Sequence, residues 1–348
     1  MKPRALTLLW SAALLLAAAF SQAAAQTAQL IVMTHDSFSA SRQTVAAFEQ
    51  AHGVTLQFFK AGDAGAALNQ AILSKANPMA DVFFGVDNTY LSRALKADIF
   101  QPHDSPLLAA IPDHLKLDPQ NRLLPVDFGD VCLNYDKQWF QTRQLRPPAS
   151  LEDLVQPAFR GLTVVQNPAT SSPGLAFLLA TVGRFGESGY LDFWQRLRDN
   201  EVLVVNGWKE AYWGQFSGAS KGSRPIVVSY ASSPPAEVHF AEKPLDEAPT
   251  AAVTAPGACF RQIEFVGILK GTAQLALARQ LVDFMLDLSF QEDIPLQMFV
   301  FPANRQAALP EVFRRHTRLA EQPVALPPEE IAAHRERWIQ AWTETVLR

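Results

Sequence analysis

Cysteine is almost missing from this chain: 348 residues carry only Cys132 and Cys259. Two thiols cannot build a four-ligand zinc site, and the seven histidines are scattered with no His-x-x-x-His pair to compensate. In an oxidising compartment the two cysteines can form one disulfide. Two buried, unpaired thiols are as open, because separation along the chain says nothing about distance in space, and a catalytic thiol is a third reading that the apolar run around Cys132 disfavours. Gly-x-Ser-x-Gly, the P-loop and the dinucleotide fingerprint are absent, which removes the usual marks of hydrolase, nucleotide and redox chemistry. His35-Asp36-Ser37 holds the residue types of a triad, but adjacent residues do not converge on one bond, and a loop is expected there. No basic run offers a footprint for nucleic acid or an anionic membrane. Internal repeats and low-complexity tracts are also absent. Beyond the first residues no apolar stretch is long enough to span a bilayer.

What is present begins with a leader. Lys2 and Arg4 precede an apolar core over residues 8–20, and Ala23-Ala24-Ala25 supplies small residues for cleavage. This pattern predicts a signal peptide over residues 1–25, removed on export. Loss of Lys2 and Arg4 would take the formal charge from −4 to −6, a mild acidity that suits a solvated protein receiving a cation. The remaining length is sufficient for two lobes, each with its own core.

Short β-rich runs then alternate with helical patterns, which predicts an α/β fold with a largely parallel sheet. Strands are expected at 30–34, 55–59 and 81–86, with helices at 43–52 and 64–75 between them. The rhythm restarts with strands at 163–166, 201–205 and 226–230 and helices at 174–183 and 190–198. Segments 131–135 and 260–269 are candidate connecting strands. Helices are expected at 272–288, 310–320 and 327–347, and a long loop at 244–256. In the last helix Ile331, Trp338, Trp342 and Val346 share one face, while Glu329, Arg335 and Arg337 are expected to stay wet.

The candidate chemistry lies in turns that end strands and open helices, where α/β sheets bind ligands. Asn167 to Gly174 ends one strand and starts a helix with Ser171, Ser172 and Pro173, so free N–H groups and hydroxyls there suit an anion. Ser232-Ser233-Pro234 repeats the device after Tyr230. Asp63 and Asp87 hold equivalent places in the first half. Asp87 is expected simply to cap a turn, whereas the small residues around Asp63 let a ligand approach a carboxylate. Trp208, directly after Gly207 at a strand end, suits a stacking platform for a cation, and Tyr230 is a second aromatic candidate.

These motifs converge on a family. The chain resembles periplasmic thiamine-binding proteins, the receptor subunits of thiamine ABC transporters, across nearly all of its mature length. The runs that carry the resemblance are Thr34-His35-Asp36-Ser37-Phe38, Ala80-Asp81-Val82 with Gly85-Val86-Asp87-Asn88, and Pro125-Val126-Asp127-Phe128-Gly129. Further runs are Asn167-Pro168-Ala169-Thr170-Ser171-Ser172-Pro173-Gly174-Leu175, Gly207-Trp208-Lys209-Glu210-Ala211-Tyr212, Ser229-Tyr230-Ala231-Ser232-Ser233-Pro234 and Phe301-Pro302-Ala303-Asn304. The resemblance implies a two-lobed type II periplasmic binding protein fold with a hinge of crossover strands, lobe 1 taking residues 26–128 with 267–348 and lobe 2 residues 129–266. It implies no cofactor and no enzymatic activity. The expected ligand is thiamine, thiamine monophosphate or thiamine diphosphate, the partner an ABC permease, the compartment the periplasm and the acting form a monomer.

Carried over by position, Asp63 and Ala64 match the family's acidic turn, Ser171 and Ser172 its phosphate-side serines, Trp208 and Tyr230 its aromatic contacts and Ser233 a polar one. The chain departs from the family at His35, where members carry Tyr, at the shortened stretch 39–42, which lacks a Trp, and at Ala236, which replaces a Tyr. Fewer aromatic walls leave a pyrimidine precursor or another small cation as alternative ligands. Polyamine or ferric iron would also suit the fold, but iron favours paired tyrosines and the chain has five Tyr with no adjacent pair. A secreted thiamine-cleaving enzyme would cast Cys132 as nucleophile and Glu264 as base.

Overall fold

The computed structural model describes residues 28–348. The leader therefore lies outside the described residues. In chain order the strands are β1 (Ala28–Thr34), β2 (Val54–Lys60), β3 (Val82–Asp87), β4 (Phe100–Gln101), β5 (Leu124–Asp136), β6 (Thr163–Gln166), β7 (Leu203–Val205), β8 (Ile226–Tyr230), β9 (Thr250–Val253), β10 (Phe260–Leu269) and β11 (Phe301–Pro302). The helices are α1 (Arg42–His52), α2 (Ala64–Leu73), α3 (Leu91–Ala97), α4 (Lys137–Thr142), α5 (Ser172–Asp199), α6 (Pro234–His239), α7 (Leu275–Leu286), α8 (Leu288–Gln291), α9 (Ile294–Gln297), α10 (Glu311–His316) and α11 (Pro328–Val346).

One continuous sheet runs β2-β1-β3-β10-β5-β8-β6-β7. Its two ends are parallel, β1 with β2 and β3 on one side and β6 with β7 and β8 on the other. Between them lie two antiparallel crossover strands. β10 pairs β3 through Glu264 to Ile268 and β5 through Phe260 to Val266, while β5 continues to pair β8 and β9. The parallel strands are buried along their whole length in β3 and β6, as expected of apolar runs covered by helices on both faces. α1 starts at Ser41, whose hydroxyl accepts from Thr44 N–H, and ends at Gly53 in the left-handed conformation.

Several expected elements shift. α5 joins the two helices expected at 174–183 and 190–198 and kinks at Gly186, whose φ is 71°. β5 starts seven residues before residue 131, since Pro125, Asp127 and Gly129 disguise the strand. The expected loop 244–256 contains β9, which takes its order from pairing with β5. The helix expected at 272–288 begins at Leu275 and stops at Leu286, because Asp287 turns extended and caps α8.

Arg335 corrects a second expectation: it is 4% exposed and not wet. Its guanidinium lies 5.1 Å from the Tyr90 ring centroid, a cation–π contact that compensates its burial. α11 packs on both α3 and α5. Trp342 meets Trp194 edge-on at 5.5 Å, and Trp338 Nε1 donates to Glu187 at 2.7 Å. The C-terminal helix thus straps the two ends of the sheet together from behind.

Cys132, inside β5, and Cys259, just before β10, form a disulfide. Of the three readings open to them only this one survives; neither thiol is free to act as a nucleophile.

Candidate functional site

The turns that close β1, β2, β7 and β8 at their C-terminal ends and the start of α5 after β6 converge on one cavity of about 240 Å³. His35, Asp63, Ala64, Ser172, Trp208, Tyr230 and Ser233 all line it. Of the expected site residues only Ser171 is set back from its surface.

Asp63 is the N-cap of α2. One carboxylate oxygen accepts from Ala64 N–H at 2.7 Å and the other from Trp208 N–H at 3.1 Å. This second bond crosses the cleft. Burial raises the Asp63 pKa to about 6, with the two backbone N–H donors and Ser171 opposing the rise. An ionised Asp63 is therefore costly until a further donor or a cation arrives.

The start of α5 is less open than its sequence suggests. Ser171 is fully buried with a hydroxyl that has no well-formed partner, although it lies near enough to Asp63 to favour the carboxylate. Ser172 donates its hydroxyl to Asp87 Oδ2. Tyr90 OH donates to Pro168 O at 3.2 Å from the opposite side of the cleft. Asp87, as expected, also holds a turn by accepting from Thr89 N–H at 2.7 Å. The helix terminus is thus met by two carboxylates rather than by empty space.

The aromatic wall is layered. Trp208 stacks on Tyr212 with centroids 4.9 Å apart and planes 16° from parallel, and Trp213 stands edge-on to both. Trp208 Nε1 donates to Ser229 Oγ at 2.9 Å, and Ser229 Oγ lies 2.8 Å from Ser233 Oγ. Tyr212 OH is bound by Glu237, which also accepts from Thr250 Oγ1 at 3.0 Å. Tyr230 OH accepts from Gln262 Nε2 at 3.1 Å. Its ring lies so close to β5 that a Cβ on Gly129 would come within 2.9 Å of Tyr230 Cδ1. Ser233 accepts from Tyr230 N–H at 3.2 Å and so fixes the turn rather than projecting freely.

Two groups were not expected as ligand contacts, Glu264 having been considered only as the base of an enzyme. Phe240, Met298 and Phe299 add apolar surface, with the Phe240 and Phe299 rings 5.5 Å apart. Glu264 lines the cavity from the middle of β10, and its cross-strand neighbour on β5 is the fully buried Asp127. His35 Nε2 lies 3.5 Å from Glu264 Oε1. Burial, with Lys60 and Lys209 nearby, lowers the His35 pKa to about 3, so the ring is neutral at physiological pH. It fits there because a Cβ on Gly85 would come within 2.5 Å of its ring.

Taken together, the cavity offers acceptors and flat apolar faces, a combination that suits a planar cation. Among the described residues no group of three or more His, Cys, Asp or Glu could hold a metal ion.

Relatives share this architecture. A thiamine-binding periplasmic protein of Escherichia coli K12 is 31% identical over 92% of this chain and 94% of its own length. A solved periplasmic thiamin binding protein superposes with a TM-score of 0.81 at 29% identity, covering 92% of this chain and 96% of that one. A ferric binding protein from Campylobacter jejuni shares the fold at a TM-score of 0.71 and 17% identity, over 91% and 99% of the two chains. Residues 77–319 match the model of the bacterial extracellular solute-binding proteins, and with these relatives the chain belongs to that family.

Proposed function

We propose that this chain is the receptor subunit of a thiamine uptake system. It would be exported to the periplasm by its cleaved leader, act as a monomer and hand its ligand to an ABC permease. The observation that carries the reading is the pairing, in one cavity, of the Asp63 carboxylate with the Trp208–Tyr212 stack. Thiamine has a permanently charged thiazolium and an aminopyrimidine, which call for an acceptor and for aromatic faces. The names of the relatives point the same way.

The carboxylates that meet the start of α5 favour the free alcohol over a phosphate ester, which they would repel. Among the described residues, Lys209 is the one cation that lines the cavity. Ferric iron is less well served: Tyr212 OH is engaged by Glu237, and Tyr230 OH accepts from Gln262. A short diamine could use the carboxylates but would leave the aromatic wall idle.

In this reading ligand joins the two halves of the molecule across the cleft, and the closed form is what the permease meets. Mass spectrometry of ligand released from natively purified protein, followed by calorimetry with thiamine and its phosphates, tests it. Recovery of another compound and no heat with any thiamine form would overturn the assignment. Small-angle scattering unchanged by saturating ligand would count against closure.

A further inference from the structure

The deepest wall of the cavity is acidic in a way the rest of the site does not explain. Asp127 is fully buried, and neither of its carboxylate oxygens meets a hydrogen-bond donor. Its polar neighbour is Glu264, directly opposite it across the β5–β10 pair. Two carboxylates are both acceptors, so they can satisfy one another only if at least one keeps a proton. Glu264 is 7% exposed and opens on the cavity, while Asp127 sits behind it. The third member, His35, lines the cavity at 9% exposure, and its buried Nε2 has no hydrogen-bond partner although Glu264 Oε1 lies 3.5 Å away. The Asp127 oxygens and His35 Nε2 are thus unsatisfied buried atoms on either side of Glu264, which itself lines a ligand-sized space.

We propose that Glu264 is the charge-reading residue of the site: without a cation beside it the Glu264–Asp127 pair is doubly protonated, and a cation entering the cavity expels one of the two protons. The inference rests on the thiamine reading and deepens it. The exchange balances. One positive charge enters, one proton leaves to solvent, and the remaining proton is shared between Glu264 and Asp127, with the ionised oxygen of Glu264 toward the ligand. The net charge of the buried cavity is unchanged, which avoids the cost of placing an uncompensated charge in a poorly solvated space.

The surroundings support this. Burial pushes both carboxyls well above the usual carboxylate range, and for Glu264 Asp127, Asp87 and Asp63 add repulsion. Other groups facing the pair are the neutral His35 and the Tyr230 phenol, whose pKa is also raised by burial and by Glu264. Lys60 and the cavity-lining Lys209 act on His35, and Arg335 acts on Asp87. Asp63 titrates too, but lower, at about 6. The pH range above neutrality therefore isolates the pair from Asp63.

Calorimetry of thiamine binding in two buffers of different ionisation enthalpy counts the protons released. Between about pH 7 and about pH 8 the wild-type protein should release up to one proton per thiamine, with affinity rising as much as about tenfold per pH unit. Glu264→Gln keeps the shape but cannot ionise. It should still bind thiamine, release no proton in this range and lose the rise in affinity, so that it matches wild type near pH 6 and falls to about 30-fold weaker near pH 8. The neutral thiamine analogue in which carbon replaces the quaternary ring nitrogen should bind wild type without proton release. Thiamine binding with no proton release in wild type, or release undiminished in Glu264→Gln and lost instead in Asp63→Asn, would overturn the proposal while leaving the thiamine reading standing. No thiamine binding at any pH would instead refute the thiamine reading itself, and this inference with it.

Discussion

Replacing Asp63 by Asn should separate folding from binding in opposite directions. The carboxyl caps α2 and reaches across the cleft to Trp208 N–H, yet burial raises its pKa from 3.8 to about 6. A raised carboxyl pKa means that the folded state holds its proton longer than the unfolded chain does. Its contribution is present below about pH 4 and is lost as pH rises through about 6. That shift is worth at most roughly 3 kcal/mol against the ionised form, and less because Asp63 keeps some exposure. Asn also serves as an N-cap, so α2 should persist. Urea unfolding of Asp63→Asn at about pH 8 should therefore show a protein at least as stable as wild type. Binding should go the other way. Loss of a charge-assisted acceptor at a cation site costs about 1.5–3 kcal/mol, or roughly 10- to 150-fold in Kd by calorimetry with thiamine. A variant that binds thiamine within about threefold of wild type, or that is destabilised by more than about 2 kcal/mol at that pH, would refute the account of Asp63 as a strained carboxylate held for a ligand.

Other substitutions probe the frame. Trp208→Ala removes the stack on Tyr212 and the bond to Ser229, and calorimetry should show a loss of about 1–3 kcal/mol in binding; Trp208→Phe, which keeps the stack, should lose only about 1 kcal/mol. Gly129→Ala places a methyl group 2.9 Å from Tyr230 Cδ1, so it should displace the ring and weaken ligand binding by about 1–3 kcal/mol by the same measurement. Cutting the Cys132–Cys259 crosslink with a double Ser substitution opens a loop of 127 residues, and the chain-entropy model gives a loss of up to about 5 kcal/mol in urea unfolding stability.

Much of this fold is legible because burial and periodicity agree. The segments 163–166, 226–230 and 260–269 are apolar runs bounded by turns, and β6, β8 and β10 occupy those residues. Asp63 and Trp208 were visible because small residues and a glycine mark places where a backbone can meet a ligand. Where charge and position disagree, composition misleads. Arg335 falls on the same helical face as Ile331, Trp338 and Trp342, yet its charge argued for solvent; the Tyr90 ring, far away in sequence, accommodates it. The pairing of Asp127 with Glu264 was hidden for a related reason, since their register across β5 and β10 cannot be read from either segment alone. β9 has little apolar alternation of its own and exists through its pairing with β5. Ser171 and Ser172 show the converse: the helix start was recognised, but the acids opposite it, contributed by distant turns, decide what it can accept.

The aromatic walls show why a site cannot be judged from motif positions alone. His35 and Ala236, where the resemblance implies tyrosine rings, both line the cavity as smaller or more polar surfaces. Rings arrive from elsewhere: Trp213 beside the Trp208 stack, Phe240 just beyond α6, and Phe299 in the segment before β11. Phe299 holds φ at 55°, a left-handed conformation that costs a non-glycine residue about 1 kcal/mol or more and is sustained by contacts with Phe240 and His239. The cavity therefore keeps several aromatic rings although His35 and Ala236 contribute none. Beside these rings the cavity wall is acidic, in Asp63 and Glu264, with a neutral His35 between Glu264 and the two lysines. An acidic wall that can lose a proton and rings that can cover a planar ligand together select for charge and flatness. These are two features that thiamine combines and that a ferric ion or an aliphatic diamine lacks as a pair.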